Sequence, residues 1–168
     1  MDIGDRLALS LLSSIAMSFL FSFYSIYVDP LITPKGLSLI VEFLLFSLPF
    51  FFIFTSVYDG FIGLFSGITY MSFKHIILNF LSVGEFCPIP IIIFGIAFSI
   101  FSFSIGFQKE ASMKSARISG AGIAVTLLGF IISSLMLIVY NYSYSVECID
   151  IRSVIYKIIY FLSSLFSS

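Results

Sequence analysis

Apolar residues along this chain fall in long runs, 7–28, 37–57, 89–107 and 121–140, each bounded by Asp, Pro, Gly or Lys. A helix rises about 1.5 Å per residue and bilayer hydrocarbon is about 30 Å thick, so about 20 apolar residues make one crossing. Each run therefore predicts one membrane-spanning helix. A fifth run, 61–83, carries Lys74 and His75 near its middle and Asn79 beyond them. It predicts either a third span in chain order or a re-entrant piece followed by an interfacial helix. The connections 29–36, 58–60 and 84–88 are short, and turns so tight make neighbouring helices antiparallel.

The tail follows a different pattern. From Val154 the apolar residues fall at 154, 155, 158, 159, 162, 165 and 166, while Arg152, Ser153, Lys157, Ser163 and Ser164 mostly take the other side. This predicts an amphipathic helix over 150–166 lying on the membrane surface. A short sixth span is the alternative, and it would draw Lys157 into hydrocarbon. The expected fold is an all-α integral membrane protein, one polytopic domain over 1–168. About five transmembrane helices are expected, four to six being possible, with the amphipathic helix at the C-terminal end.

Small residues form stripes inside these runs. Gly95, Ser99, Ser102 and Gly106 recur at 4, 3, 4 spacing, and so do Gly122, Thr126, Gly129 and Ser133. Laid antiparallel, 95 meets 133, 99 meets 129, 102 meets 126 and 106 meets 122, which predicts a packed helix hairpin around the polar loop 108–120. Ser10, Ser14, Ser18, Ser22 and Ser25 form a similar stripe in the first run. Such residues let helix backbones approach closely and place hydroxyls at the interface, so this stripe predicts a packing or oligomer face. The 95–133 hairpin is similar to small prokaryotic two-helix membrane domains with glycine-rich second helices, a likeness covering about a third of the chain.

Composition supports the membrane reading. Of 168 residues 60% are hydrophobic and 10% charged, with mean hydropathy +1.15, whereas soluble domains carry about 25% charged residues. No stretch remains for a soluble domain with its own core, which argues against catalysis or DNA binding on a separate domain. A net charge of −1 lacks the basic footprint of nucleic-acid binding. Residues 1–6 hold two acids and one base, unlike the positive leader of a cleaved signal peptide, so the first run reads as a retained span. The abundance of Phe and absence of Trp carry no functional reading.

Basic residues in short loops set orientation. If 61–83 crosses, Arg6, Lys109, Lys114 and Arg117 lie on one side against Lys35, Arg152 and Lys157 on the other, a slight vote for the 108–120 loop being cytoplasmic. If it does not cross, the two sides tie. With 61–83 crossing, in the five-span arrangement, Tyr24, Tyr27, Tyr140, Tyr142 and Tyr144 line one interface as an aromatic belt.

Candidate chemistry is sparse. Glu42 is an acid well inside a span, where a charge costs about 2.5–3.5 kcal/mol on insertion scales. Folding the chain about residue 59 sets Glu42 opposite position 76, at the depth of Lys74 and His75, so Glu42, Lys74, His75 and Asn79 form a candidate intramembrane cluster. It reads either as a proton or ion relay or as a neutralised pair that staples two segments. Cys87 and Cys148 fall on one membrane side, so they read as two unpaired thiols or, where that side is oxidising, as a disulfide that clips the tail to the hairpin. Asn141-Tyr142-Ser143 fits a glycosylation acceptor but abuts the end of a span, where a transferase reaches poorly. No metal-binding or catalytic motif is found, and no cofactor is expected.

These features lead to a non-catalytic protein of the cell membrane, multi-pass, acting as an accessory or structural subunit of a larger membrane complex. Its expected partners are the lipid bilayer and other membrane subunits or further copies of itself, with no nucleic acid. A small transporter or ion- or proton-conducting protein using Glu42 with Lys74 and His75 is the alternative.

Overall fold

The computed structural model describes residues 2–28, 31, 35–115, 120–143, 148 and 151–166. Arg117 and Tyr144 lie outside them, as do the side chains of Lys35, Lys114, Tyr140, Asn141, Tyr142, Ser143 and Arg152. Seven helices are described: α1 Ile3–Tyr27, α2 Lys35–Ser47, α3 Phe50–Ile53, α4 Asp59–Phe80, α5 Pro88–Ser115, α6 Gly120–Ser143 and α7 Ile151–Phe166. Helices long and apolar enough to cross a membrane are Ile3–Tyr27, Asp59–Phe80, Pro88–Met113 and Gly120–Val139. The chain is thus an all-helical protein of multi-pass membrane type.

The runs 61–83 and 37–57 fold differently from each other. The run 61–83 lies almost wholly in one unbroken 22-residue helix, α4, despite Lys74 and His75. The run 37–57 is not one helix. It breaks at Leu48-Pro49 between α2 and the single turn α3, and Phe54 continues in extended backbone with ψ of 129°. Proline supplies no N–H to the Leu45 carbonyl and its ring crowds that residue, so the helix ends there.

α1 runs parallel to α4, since Arg6 meets Asp59, Ser10 meets Ser66 and Phe21 meets Tyr70. The chain between them must therefore return from one end of the bundle to the other, and α2, α3 and the extended stretch make that return. α5 then runs antiparallel to α4, and α6 antiparallel to α5. Residues 2–6, 54–60 and the C-terminal part of α5 share one end of the bundle, the Asp59 end. The turn 81–87 and Cys148 share the opposite end, the Cys87 end.

Phenylalanine fills the centre. Phe43, Phe46, Phe50 and Phe54 share one side of the broken segment and pack against Phe94, Phe98 and Phe101 of α5, all of them 2% exposed or less. Their rings make mostly edge-on or tilted contacts at 4.7–6.0 Å, the geometry that ring quadrupoles favour. α4 ends with Ser82 in the left-handed region at φ 63°, which carries the Val83 N–H back to the Leu78 carbonyl at 3.0 Å. That closure satisfies the end of the helix and turns the chain toward α5.

Candidate functional site

Ionisable side chains meet inside this bundle at two levels. At the first, Glu42 on α2 is 2% exposed and Lys74 on α4 is 7% exposed. Lys74 Nζ donates to Glu42 Oε1 at 2.6 Å and to Oε2 at 2.7 Å, and Tyr70 Oη donates to Oε1 at 2.5 Å. Tyr70 and Lys74 are one helical turn apart, which sets both on the side of α4 that faces α2. The Tyr70 ring stacks on Phe46 with centroids 4.0 Å apart, so the phenol is held where the carboxylate needs it. The group is a neutral, hydrogen-bonded triad in an aromatic cage.

The other two members of the expected cluster are elsewhere. His75 Nδ1 donates to the Glu85 carbonyl at 2.8 Å, and Asn79 Nδ2 donates to the Gly84 carbonyl at 3.1 Å. One residue of helix is 100° of rotation, so His75 cannot share the direction of Lys74. Both brace the turn 81–87 instead of reaching Glu42.

The second level, at the Asp59 end, was not foreseen from the sequence. Asp59 is fully buried at the start of α4. It accepts from Arg6 Nη1 at 2.7 Å to each oxygen, from the Thr55 amide at 2.5 Å and from the Ser56 amide at 2.7 Å. Arg6 Nη1 also donates to Thr55 Oγ1 at 2.7 Å. From α5, Lys109 Nζ donates to the Phe51 carbonyl and, at 2.7 Å, to the Phe54 carbonyl. Non-helical backbone at membrane depth is tolerated only where protein or water satisfies its polar groups. Asp59 serves the amides of the broken segment and Lys109 its carbonyls. The sequence signal was available: Arg6 and Asp59 each stand beside the start of an apolar run, and those two runs become the parallel helices α1 and α4.

The small-residue stripes pack within the chain, with partners other than those expected for α5. A Cβ on Gly95 would strike Ile68, one on Gly106 would overlap the Ser56 carbonyl, and Ser99 Oγ donates to the Gly60 carbonyl at 2.8 Å. Ser102 lies where a Cβ on Gly63 would fall. The stripe of α5 therefore faces α4 and the turn before it, against Gly60, Gly63 and Gly67, a set unnoticed in the sequence. The stripe of α6 packs on a different side of α5. Ser133 Oγ donates to the Ala97 carbonyl at 2.7 Å, Thr126 Oγ1 donates toward the Gln108 Oε1 at 2.9 Å, Gly129 lies against Ser104 and Gly122 against Gln108. Equal spacing fits any antiparallel pair with the same period, so the matching positions could not choose between α4 and α6 as the partner of residues 95–106.

Ser10, Ser14, Ser18 and Ser22 are 1% exposed or less on the side of α1 that lies against α4. Ser10 Oγ meets Ser66 Oγ at 2.5 Å, while Ser14, Ser18 and Ser22 donate to carbonyls of their own helix. This stripe works chiefly by its small size. At the opposite end of the bundle, Cys87 and Cys148 form a disulfide.

No protein-family model, curated protein or solved structure matches this chain.

Proposed function

We propose that this chain is a non-catalytic scaffold of the cell membrane, a structural subunit of a larger membrane complex that passes the bilayer five times. Four passes are the long apolar helices, and the fifth is the broken segment α2–α3, which returns the chain between the two ends of the bundle. The observation that carries the reading is the internal closure of charge: Glu42 is matched by Lys74 and Asp59 by Arg6. Buried charges arranged this way fix helix register and leave neither of these two carboxylates in want of a transported cation.

The stripes first expected to dock partners are occupied within the chain, so partners meet the outer surfaces. On α1 these expose Leu9, Leu12, Phe19, Leu20 and Phe23, and on α6 Leu127, Leu128, Ile131 and Leu135. Lipid covers what no subunit covers, since apolar surface alone is indifferent between the two in a bilayer.

Purification in mild detergent tests the proposal. The expected result is partner chains held in fixed ratio, with no ion flux by the purified protein in vesicles. A solitary, homogeneous homo-oligomer with pH-dependent flux that Glu42→Gln abolishes would overturn it and favour conduction through the Glu42 triad.

A further inference from the structure

α7 is the most sharply two-sided helix of the chain. Val154, Ile155, Ile158 and Ile159 fall on one arc and are 37–55% exposed, while Ser153, Tyr156, Lys157, Tyr160 and Ser163 fall on the other. It rests lightly against α4, and a third to a half of each described side chain on its apolar arc stays exposed. Its 16 residues reach about 24 Å, short of about 30 Å of hydrocarbon, and Lys157 sits mid-helix. The Cys87–Cys148 disulfide ties the chain just before α7 to the turn that joins two membrane-length helices. A helix so tied begins at the level where the bundle leaves the hydrocarbon.

We propose that α7 is a lipid-surface foot on the extracytoplasmic leaflet, clasped to the bundle by the Cys87–Cys148 disulfide. The occupant of the apolar arc is the boundary between headgroups and acyl chains, where such helices bury one side by about 5–10 Å. Tyr156, 71% exposed, borders that arc beside Ile159, where a tyrosine reaches headgroup level, while Tyr160, 77% exposed, stands on the opposite, aqueous side. Disulfides persist in oxidising compartments, which sets the Cys87 end outside and the Asp59 end, with Arg6 and Lys109, in the cytoplasm. Basic residues in the short loops, counted independently, favour the same orientation. The inference rests on the multi-pass reading but is indifferent to whether the protein is a scaffold or a conductor.

The chain has no Trp, so one introduced tryptophan reports alone. Ile158→Trp and Lys157→Trp are to be compared in the full chain, reconstituted in phosphatidylcholine vesicles with lipids brominated either near the headgroup or at the acyl terminus. The expected outcome is severalfold stronger quenching of the Ile158→Trp protein by the shallow bromines than by the deep ones, with Lys157→Trp quenched instead by aqueous iodide. Iodide access to both would show a foot off the membrane, and strong deep quenching of both would show a span; either overturns the proposal. Orientation is read in intact cells by a membrane-impermeant maleimide after brief treatment with an impermeant phosphine. Labelling of wild-type chain from outside is expected, dependent on the phosphine and lost in Cys87→Ser/Cys148→Ser. Labelling that appears only after permeabilisation places the Cys87 end in the cytoplasm and overturns the proposal, and the same readout on wild-type chain covers a double variant that fails to fold.

Discussion

Among the described residues two buried ion pairs hold this bundle, and they are built differently. Lys74 and Tyr70 reach Glu42 from regular helix, so every partner in that triad is a side chain. At Asp59 the carboxylate also takes two backbone amides, Thr55 and Ser56, from a segment with no helical partners to offer them. The first pair joins two helices that would exist without it. The second supplies the acceptors that allow the α2–α3 segment to stop being a helix inside the bundle. A buried pair can often be replaced by apolar side chains with little change in stability, but a buried amide deprived of its acceptor keeps its full desolvation cost.

The largest expected effect is therefore at Asp59. Asp59→Leu strands the Arg6 charge and both amides, and should cost at least about 3–5 kcal/mol, read as lost folded yield and a lower unfolding midpoint in mixed micelles. Adding Arg6→Met removes the stranded charge but not the stranded amides, at about 1–3 kcal/mol each, so the double variant should stay clearly destabilised. Full recovery in the double variant would erase the distinction between the two pairs.

Next in size is the Glu42 triad. Glu42→Gln alone leaves Lys74 as an uncompensated buried charge and should cost about 3–5 kcal/mol. Glu42→Gln with Lys74→Met should recover part of that loss, since the stranded charge is gone, Gln still accepts from Tyr70 and no backbone group is orphaned, leaving about 1–3 kcal/mol for the Gln side-chain amide. A double variant as unstable as the single would show that the triad, too, does more than join two helices.

The same contrast explains what could be read in the sequence. Glu42 stood out because an acid in an apolar run demands a partner, and folding the chain about its tight turn put Lys74 at the right depth. Asp59 looked like an ordinary turn residue and Arg6 like one of the loop charges that set orientation, because their pairing joins parallel helices separated by the α2–α3 segment. Pro49 was visible, but whether a proline kinks a helix or ends it depends on groups far away in sequence, here Asp59 and Lys109. The stripe at 95–106 lies against α4 and not α6, since periodicity reports a side of a helix and not which neighbour covers it. Phenylalanine abundance was given no functional reading, although Phe43, Phe46 and Phe50 repeat at helical spacing opposite Phe94, Phe98 and Phe101.

The smallest expected effects come from two glycines of the helix contacts, which separate the two regions by packing alone. A Cβ at Gly106 would overlap the Ser56 carbonyl, and Ser56 is pinned through its amide to Asp59, so neither side can yield easily. A Cβ at Gly67, near the triad, would stand 3.0 Å from the Gly95 Cα and 3.1 Å from the Phe98 Cβ. A shift of a few tenths of an ångström between α4 and α5 relieves that contact. Gly106→Ala should therefore cost about 1–3 kcal/mol, as overpacking does. Gly67→Ala should cost less, because relief is easier and alanine is favoured over glycine within a helix by about 1 kcal/mol. Unfolding midpoints of the two variants, measured side by side in one detergent, decide the point: a Gly67→Ala protein less stable than Gly106→Ala would mean that the broken end is the more compliant part of the bundle, and that Asp59 holds it less firmly than its hydrogen bonds imply.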